Sequence, residues 1–293
     1  MRVSPHVHAL LLNCEIELAS GARIPRFVPA YVIEAERLTV VDTAVRSSAP
    51  IIFDYIESIG RKPEEIEYVI HTHGHFDHVG GNGIFAERAT PRFWAHPNDK
   101  AIIESLEYQE RVRPVGRMRE QNTSGDVTVT DLLHDGDTLD LGGGVRVDVF
   151  HTPGHSPGSV SLFIPWDGTL FCGDVLPEPG AIPIYEDVRQ TLDSLTTLRG
   201  VSGATVLLSQ LSDQVWTGDD VRRHIDDGEA YVRRVDRTIR QTADRIGKSA
   251  LFEEVCRTVL RELGLPEAAG ALPIYQTTVM AHRATEPLGE LST

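Results

Sequence analysis

The sequence predicts an α/β fold with a helical C-terminal appendix, and three observations lead there. Over the first two thirds, short apolar runs of strand length alternate with turn residues and a few helical stretches. After Trp216 these runs stop and a long charged helical pattern takes over. The composition is that of an ordinary globular chain, 41% hydrophobic and 24% charged over 293 residues, long enough to bury a sizeable core. We therefore place a boundary near 216, with a mixed body at 1–216 and a helical region at 217–293.

The elements follow in order. Residues 7–12 form an apolar strand. Residues 27–33 and 38–41 read as a hairpin ending at Asp42. Residues 50–59 carry helical spacing (Ile51, Ile52, Tyr55, Ile56, Ile59) stopped by Gly60. A strand at 68–71 runs into a histidine cluster, and 98–111 reads as one helix. The polar stretch 113–126 is a candidate loop or lid. Strands are expected at 127–132, 138–141, 145–150, 159–164 and 169–172, separated by Asp-Gly and Gly-rich turns. A helix at 186–198 and a buried strand at 204–208 complete the body. In the tail, 219–246 is a long helix with an apolar stripe including Val221, Ile225, Val232, Val235 and Ile239, and 250–263 is a second helix ended by Gly264.

Charge and cysteine usage narrow the partners. A formal net charge of −15 disfavours nucleic acid and anionic membranes, which would repel the average field. No apolar run approaches the ~20 residues of a membrane helix. Cys14, Cys172 and Cys256 are few and far apart, which suits a reducing cytoplasm. Residues 1–12 lack the pattern of a signal peptide. Three lysines against 25 arginines suggest a GC-rich bacterial genome. The charged face of 219–240 reads as solvated helix surface, with a homodimer contact as the sharper alternative.

The strongest feature is His71-Thr-His-Gly-His-Phe-Asp-His78. His73-x-His75-x-Asp77-His78 places three imidazoles and a carboxylate within six residues, at the end of a strand where a helix begins. So many bases would be wasteful in a core, whereas zinc and similar borderline metals take imidazole nitrogen and carboxylate oxygen. His71 and His151 read as supporting residues, His96 as structural, His134 as exposed and Cys172 as a small core residue. Asp42 is either a partner that orients an imidazole or a turn cap.

His-x-His-x-Asp-His at a strand end resembles the metallo-β-lactamase-fold hydrolases. Two further elements of that superfamily are present, Gly154-His155-Ser156-Pro157-Gly158-Ser159 and Phe171-Cys172-Gly173-Asp174, as is an upstream Asp in Val41-Asp42-Thr43. The match spans about residues 7–210. It implies a four-layer αββα sandwich, with His73, His75 and His155 on a first metal, Asp77 and His78 on a second, and Asp174 bridging. Zinc is the expected ion, one or two per chain, with iron as an alternative. A metal-activated hydroxide would be the nucleophile, oriented by Asp77. The last histidine of the family pattern is missing: Gln210 falls where it should be. The second position is then weakly held, filled by Gln210 or Asp213, or empty, with His224 or His282 folding back as a further alternative.

The superfamily is chemically diverse, so the reaction must be argued from the surroundings. Its exported lactamases, its nucleases and its flavodiiron oxidases fit poorly, for want of a signal peptide, of positive charge, and of a flavin domain. What is left is hydrolysis of an ester, thioester or lactone on a small-molecule or carrier-bound acyl substrate. The Arg-rich composition, helical tail and lost histidine resemble cyclase/thioesterases of aromatic polyketide pathways, in which case Ile184 and Tyr185 would form an apolar substrate wall beside Asp174. A mononuclear iron persulfide dioxygenase-like enzyme is an alternative from another reaction class, and a metal-stabilised binding protein a non-catalytic one.

Overall fold

A computed structural model of the chain describes residues 1–17, 23–115, 117–247 and 250–288. The first sheet is built from β1 (Val7–Glu17), β2 (Arg23–Ile33), β3 (Leu38–Val41), β4 (Ile66–Ile70), β5 (Arg92–Ala95) and β6 (Asp131–Leu132), hydrogen-bonded in that order. Helices α1 (Ala49–Ser58), α2 (Phe76–Val79), α3 (Asn82–Arg88), α4 (Pro97–Glu104), α5 (Leu106–Val112) and α6 (Arg117–Asn122) connect its strands. The second sheet contains β7 (Thr138–Asp140), β8 (Arg146–His151), β9 (Val160–Ile164), β10 (Thr169–Phe171), β11 (Val206–Leu208) and β12 (Val215–Thr217). Between β10 and β11 lies α7 (Val188–Gly200), and α8 (Asp219–Ile246), α9 (Phe252–Leu263) and α10 (Pro273–Ala284) end the chain.

Strand alternation sorts the side chains into layers, because successive residues face opposite sides of a sheet. In β2, Val28, Ala30 and Val32 pack with Ile52 and Ile56 of α1 and Phe85 of α3. Tyr31 and Ile33, one residue out of phase, meet Leu162, Ile164 and Leu208 of the second sheet. On the far side of that sheet, Phe163, Leu170 and Leu207 pack against Leu195 and Leu198 of α7. Helix, sheet, sheet, helix is thus the four-layer αββα arrangement. The tail does not stop at this boundary. Val221, Ile225 and Val232 of α8 belong to the same apolar cluster as Leu195 and Leu207, while Tyr231, Val235 and Ile239 pack with α9 and α10.

Some elements differ from the sequence expectation. The single helix expected over 98–111 is broken at Ser105, whose extended backbone and hydroxyl cap α5 by accepting from the Tyr108 N–H. The candidate lid at 113–126 contains α6. The expected strand 127–132 pairs only at Asp131 and Leu132. A third tail helix, α10, opens with Pro273 at its first position.

The topology gathers the motif loops at one edge. Strands β3 and β4 are parallel, as are β10 and β11. Asp42, the His71–His78 loop, Gly173-Asp174 and Gln210 all follow the carboxyl ends of these strands. The turn from β8 to β9, which carries His155, lies at the same end because both strands run antiparallel to their neighbours. Crevices at the carboxyl ends of parallel strands are where such sheets bind ligands.

Candidate metal centre

Five of the six expected ligands converge. His73, His75 and His155 form one group and His73, His78 and Asp174 another, all buried, with the possible ligand atoms of each group within 4.8 Å of one another. His75 Nδ1 lies 2.9 Å from His155 Nε2, and Asp174 Oδ2 lies 3.5 Å from both His155 Nε2 and His78 Nε2. Asp77, the sixth, belongs to neither group. It sits partly exposed in the first turn of α2, where its charge acts on His78 and on the Cys14 thiol.

Neighbouring groups orient the imidazoles. His155 Nδ1 donates to the Ile184 carbonyl at 2.8 Å, His78 Nδ1 to Asp42 Oδ2 at 3.0 Å, and His73 Nδ1 to Thr72 Oγ1 at 3.1 Å. Those assignments leave the Nε2 lone pair of each ring toward the common centre. His73 Nε2 and Asp174 Oδ1 are buried with no hydrogen-bond partner. Orphaned acceptors of this kind are costly in a folded protein, and imidazole nitrogens with a carboxylate are the donor set of zinc and iron. The residues present therefore fit a divalent metal.

Electrostatics agree. Burial holds His73 and His75 well below the usual imidazole range, helped by neighbouring positive charge, and lowers His155 as well. Neutral imidazoles are the metal-binding form. His78 differs: burial alone would lower it too, but Asp174, Asp77 and Asp42 raise it well above the ordinary range, so in the metal-free chain it holds a proton that a bound cation would displace. Burial would raise the Asp42 carboxyl, yet the His71 and His78 imidazoles hold it well below the usual range.

Asp42 resolves into the orienting role. Fully buried, it accepts from Thr72 N at 2.8 Å and Thr72 Oγ1 at 2.6 Å as well as from His78. Its φ of +59°, a conformation that Asp tolerates better than most residues, turns the chain out of β3 under the centre. His71 supports from the side, with Nε2 3.1 Å from Asn82 Nδ2. Asp99 gave no sequence signal. It ties the two ligand loops together, accepting from Gly74 N, Ser156 Oγ and Gly158 N at 2.7–2.8 Å. Glycine is required at 158, since a Cβ there would lie 2.4 Å from Asp99 Cγ.

Two expectations are corrected. Gln210 occupies the place of the missing histidine but has its amide committed elsewhere. Nε2 donates to Pro29 O at 2.9 Å and Oε1 lies 3.0 Å from Thr72 Oγ1, so the amide braces the two sheets. The substitutes considered for it are also elsewhere. Asp213 is exposed, His224 stacks on Trp216 and bonds Glu178, and His282 bonds Tyr185 and Asp236. Tyr185 is not a cleft wall: it is 2% exposed and its hydroxyl is bonded to His282. Ile184 reaches the site through its backbone, as the acceptor for His155.

A buried cluster of imidazoles and a carboxylate at one edge of an αββα sandwich defines the metal-binding class of this architecture. The model of the metallo-beta-lactamase superfamily matches residues 23–210, and the chain belongs to that superfamily. Among curated relatives, it is 35% identical to a hydroxyacylglutathione hydrolase of Thermosynechococcus vestitus over 45% of this chain and 43% of that one. It is 28% identical to a probable metallo-hydrolase of Bacillus subtilis, over 76% and 95% respectively. An N-acyl homoserine lactonase of Bacillus thuringiensis is 32% identical over 39% and 38%. The match thus spans less than half the length of the hydroxyacylglutathione hydrolase and of the lactonase. In fold, the chain resembles a metallo-beta-lactamase family protein of Thermus thermophilus, with a TM-score of 0.68 at 19% identity over 94% of this chain and 91% of that one. No described helix is long and apolar enough to cross a membrane.

Proposed function

We propose that the chain is a zinc-dependent hydrolase acting on an ester, thioester or lactone carbonyl of a small polar substrate. The observation that carries this reading is the pair of donor groups sharing His73, with His73 Nε2 and Asp174 Oδ1 buried and unpartnered. His73, His75 and His155 would hold one ion, and His78 and Asp174, with His73 beside them, a second. Bound there, a divalent ion supplies Lewis acidity toward a carbonyl and lowers the pKa of water to about 7. The chain's own contribution is to fix the imidazole tautomers, keep the donors buried and handle a proton. We assign the last task to Asp77, which is partly exposed in the first turn of α2 next to His78. General acid–base help of this kind is worth about 10²–10⁴-fold.

A surface near α2 supports this reading of the substrate class. A cavity of about 720 Å³ is lined by Asn13, Glu15, Arg26, Ser47, Gln121 and Asn122. Helix α6, which carries the last two, packs on α2, and the Cys14 thiol in the same cavity feels the Asp77 charge. The lining is polar and the apolar Tyr185 is enclosed, which favours a small hydrogen-bonding acyl group over an extended aromatic polyketide. The matches to a hydroxyacylglutathione hydrolase and an N-acyl homoserine lactonase support carbonyl hydrolysis.

The test is metal analysis of the purified protein together with a screen of esters, thioesters and lactones. Zinc content, hydrolysis of at least one class, and loss of both metal and activity in His73→Ala are expected. A single iron with oxygen uptake on a persulfide would overturn the hydrolase reading. Full metal binding in a protein inert toward every substrate would favour the non-catalytic alternative.

A further inference from the structure

Residues 175–187 form a strap between the metal centre and the C-terminal helices. On its inner side, the Ile184 carbonyl holds His155 Nδ1, and the N–H groups of Glu186 and Asp187 donate to Gly154 O at 2.7 and 3.1 Å. On its outer side the tail grips it repeatedly. Glu178 Oε1 lies 3.0 Å from His224 Nε2, and the Ala181 carbonyl accepts from Tyr231 Oη at 2.5 Å. The strongest attachment is at Tyr185, the residue after the His155 acceptor. A single hydroxyl, Thr278 Oγ1 on α10, accepts from Tyr185 N and donates to Tyr185 O, both at 3.0 Å. One turn on, His282 Nε2 accepts from Tyr185 Oη at 2.6 Å, and its Nδ1 donates to Asp236 Oδ1 at 3.0 Å. Thr278 and His282 are both fully buried and lie on one face of α10, as i and i+4 residues do. Asp236 is itself fixed by Arg240 and by the Leu288 N–H.

We infer that the C-terminal helices set the metal affinity of the His73, His75, His155 group, with Thr278, Tyr185 and His282 as positioning residues acting through the Ile184 carbonyl. The inference rests on the reading of His155 as a metal ligand. Tyr185 N and the Ile184 carbonyl belong to one planar peptide group, so the Thr278 hydroxyl that holds this N–H also fixes the carbonyl that orients His155, while His282 acts through the Tyr185 side chain. Partners that orient metal-bound imidazoles typically change metal affinity by about 10–100-fold when removed.

The test uses the full chain stripped of metal and titrated with zinc against a chromophoric chelator, alongside thermal unfolding of the metal-free protein. Thr278→Val removes the hydroxyl at nearly constant volume and is expected to weaken zinc binding about tenfold, whereas Thr278→Ser stays within about twofold. Tyr185→Phe, a milder change if Thr278→Val fails to fold, is expected to weaken binding in the same direction. Val279→Ala, beside Thr278 in the buried core of α10, lowers thermal stability by leaving a cavity and is expected to leave zinc affinity unchanged. Wild-type affinity in both Thr278→Val and Tyr185→Phe would overturn the inference, as would an equal loss of affinity in Val279→Ala. His155→Ala separates the two levels. If it binds zinc as tightly as wild type, the ligand assignment fails; if it loses zinc while neither Thr278→Val nor Tyr185→Phe does, the positioning role alone fails.

Discussion

Asp42 shows how much of the centre depends on a residue that touches no substrate. Its carboxylate is buried against Thr72 and His78 and is held ionised there. Asn can also adopt its positive φ, so Asp42→Asn isolates the charge from the backbone turn. Hydrogen bonds to a charged group are worth about 1.5–3 kcal/mol. We expect Asp42→Asn to lose about 2 kcal/mol in urea unfolding of the metal-free protein and to weaken metal binding at His78 and Asp174 roughly tenfold in titration. Gln210 gives the converse case. Because its amide is bonded to Pro29 and Thr72, Gln210→Ala should destabilise the fold by about 1–3 kcal/mol through unsatisfied buried partners. Metal stoichiometry measured by atomic emission should not change; a drop of one ion per chain would restore Gln210 to the ligand set. The candidate ligands His73, His75 and His78 were legible in the sequence because their spacing is local, and His155 was legible through the family resemblance. The role of Gln210 was not, since Pro29 lies far from it in the chain and only sheet packing brings them together.

At the scale of elements, α4 holds a pH-sensitive feature. His96 caps the helix by accepting from the Asn98 N–H at 3.3 Å, and its ring stacks on His151 with centroids 3.9 Å apart. Burial, with His151 and His134 adding positive charge, lowers His96 to about 4. Its folded value lies below its unfolded one, so the folded state prefers the neutral ring. The resulting stability is present above about pH 6.5 and is lost as pH falls toward 4, where the unfolded chain binds a proton the folded chain refuses. His96→Asn keeps a good cap and removes this proton. We expect its chemical-denaturation stability to depend less steeply on pH between 6.5 and 4 than that of wild type, by up to one proton in slope. Parallel curves would show that His96 does not titrate in this window. Elements as a class were well read where periodicity was long, as with α8, whose observed limits, 219–246, are those its apolar stripe predicts. Short pieces were not. Ser105 breaks what reads as one helix through a local cap that the apolar periodicity hides, and β6 pairs over two residues because strand pairing there is decided by tertiary neighbours.

Over the whole molecule, the question is whether the helical tail is a domain or a layer. Texture changes at 216, but packing does not. The first half of α8 completes the outer apolar layer of the second sheet, with Val221, Ile225 and Val232 against Leu176, Leu195 and Leu207. Approach is close enough that a Cβ at Gly228 would lie 2.4 Å from Leu176 Cδ1, which accounts for glycine inside a long helix despite its cost of about 1 kcal/mol. Leu176 is two residues beyond Asp174, so α8 braces a ligand loop as well as the sheet. A chain cut after Trp216 would leave that apolar surface in water, at about 25 cal/mol per Å² exposed, and would release the strap that orients His155. We therefore expect the 1–216 fragment to aggregate or to populate a loosely packed state. The full metal-free chain should unfold in one transition, with far-ultraviolet circular dichroism and tryptophan fluorescence changing together. Trp216 sits at the junction and reports on it directly. Two separated transitions, or a soluble fragment that binds zinc as tightly as the full chain, would make the tail an independent domain. A single transition would instead mean that the helical last quarter of the sequence is part of the fold that holds the metal.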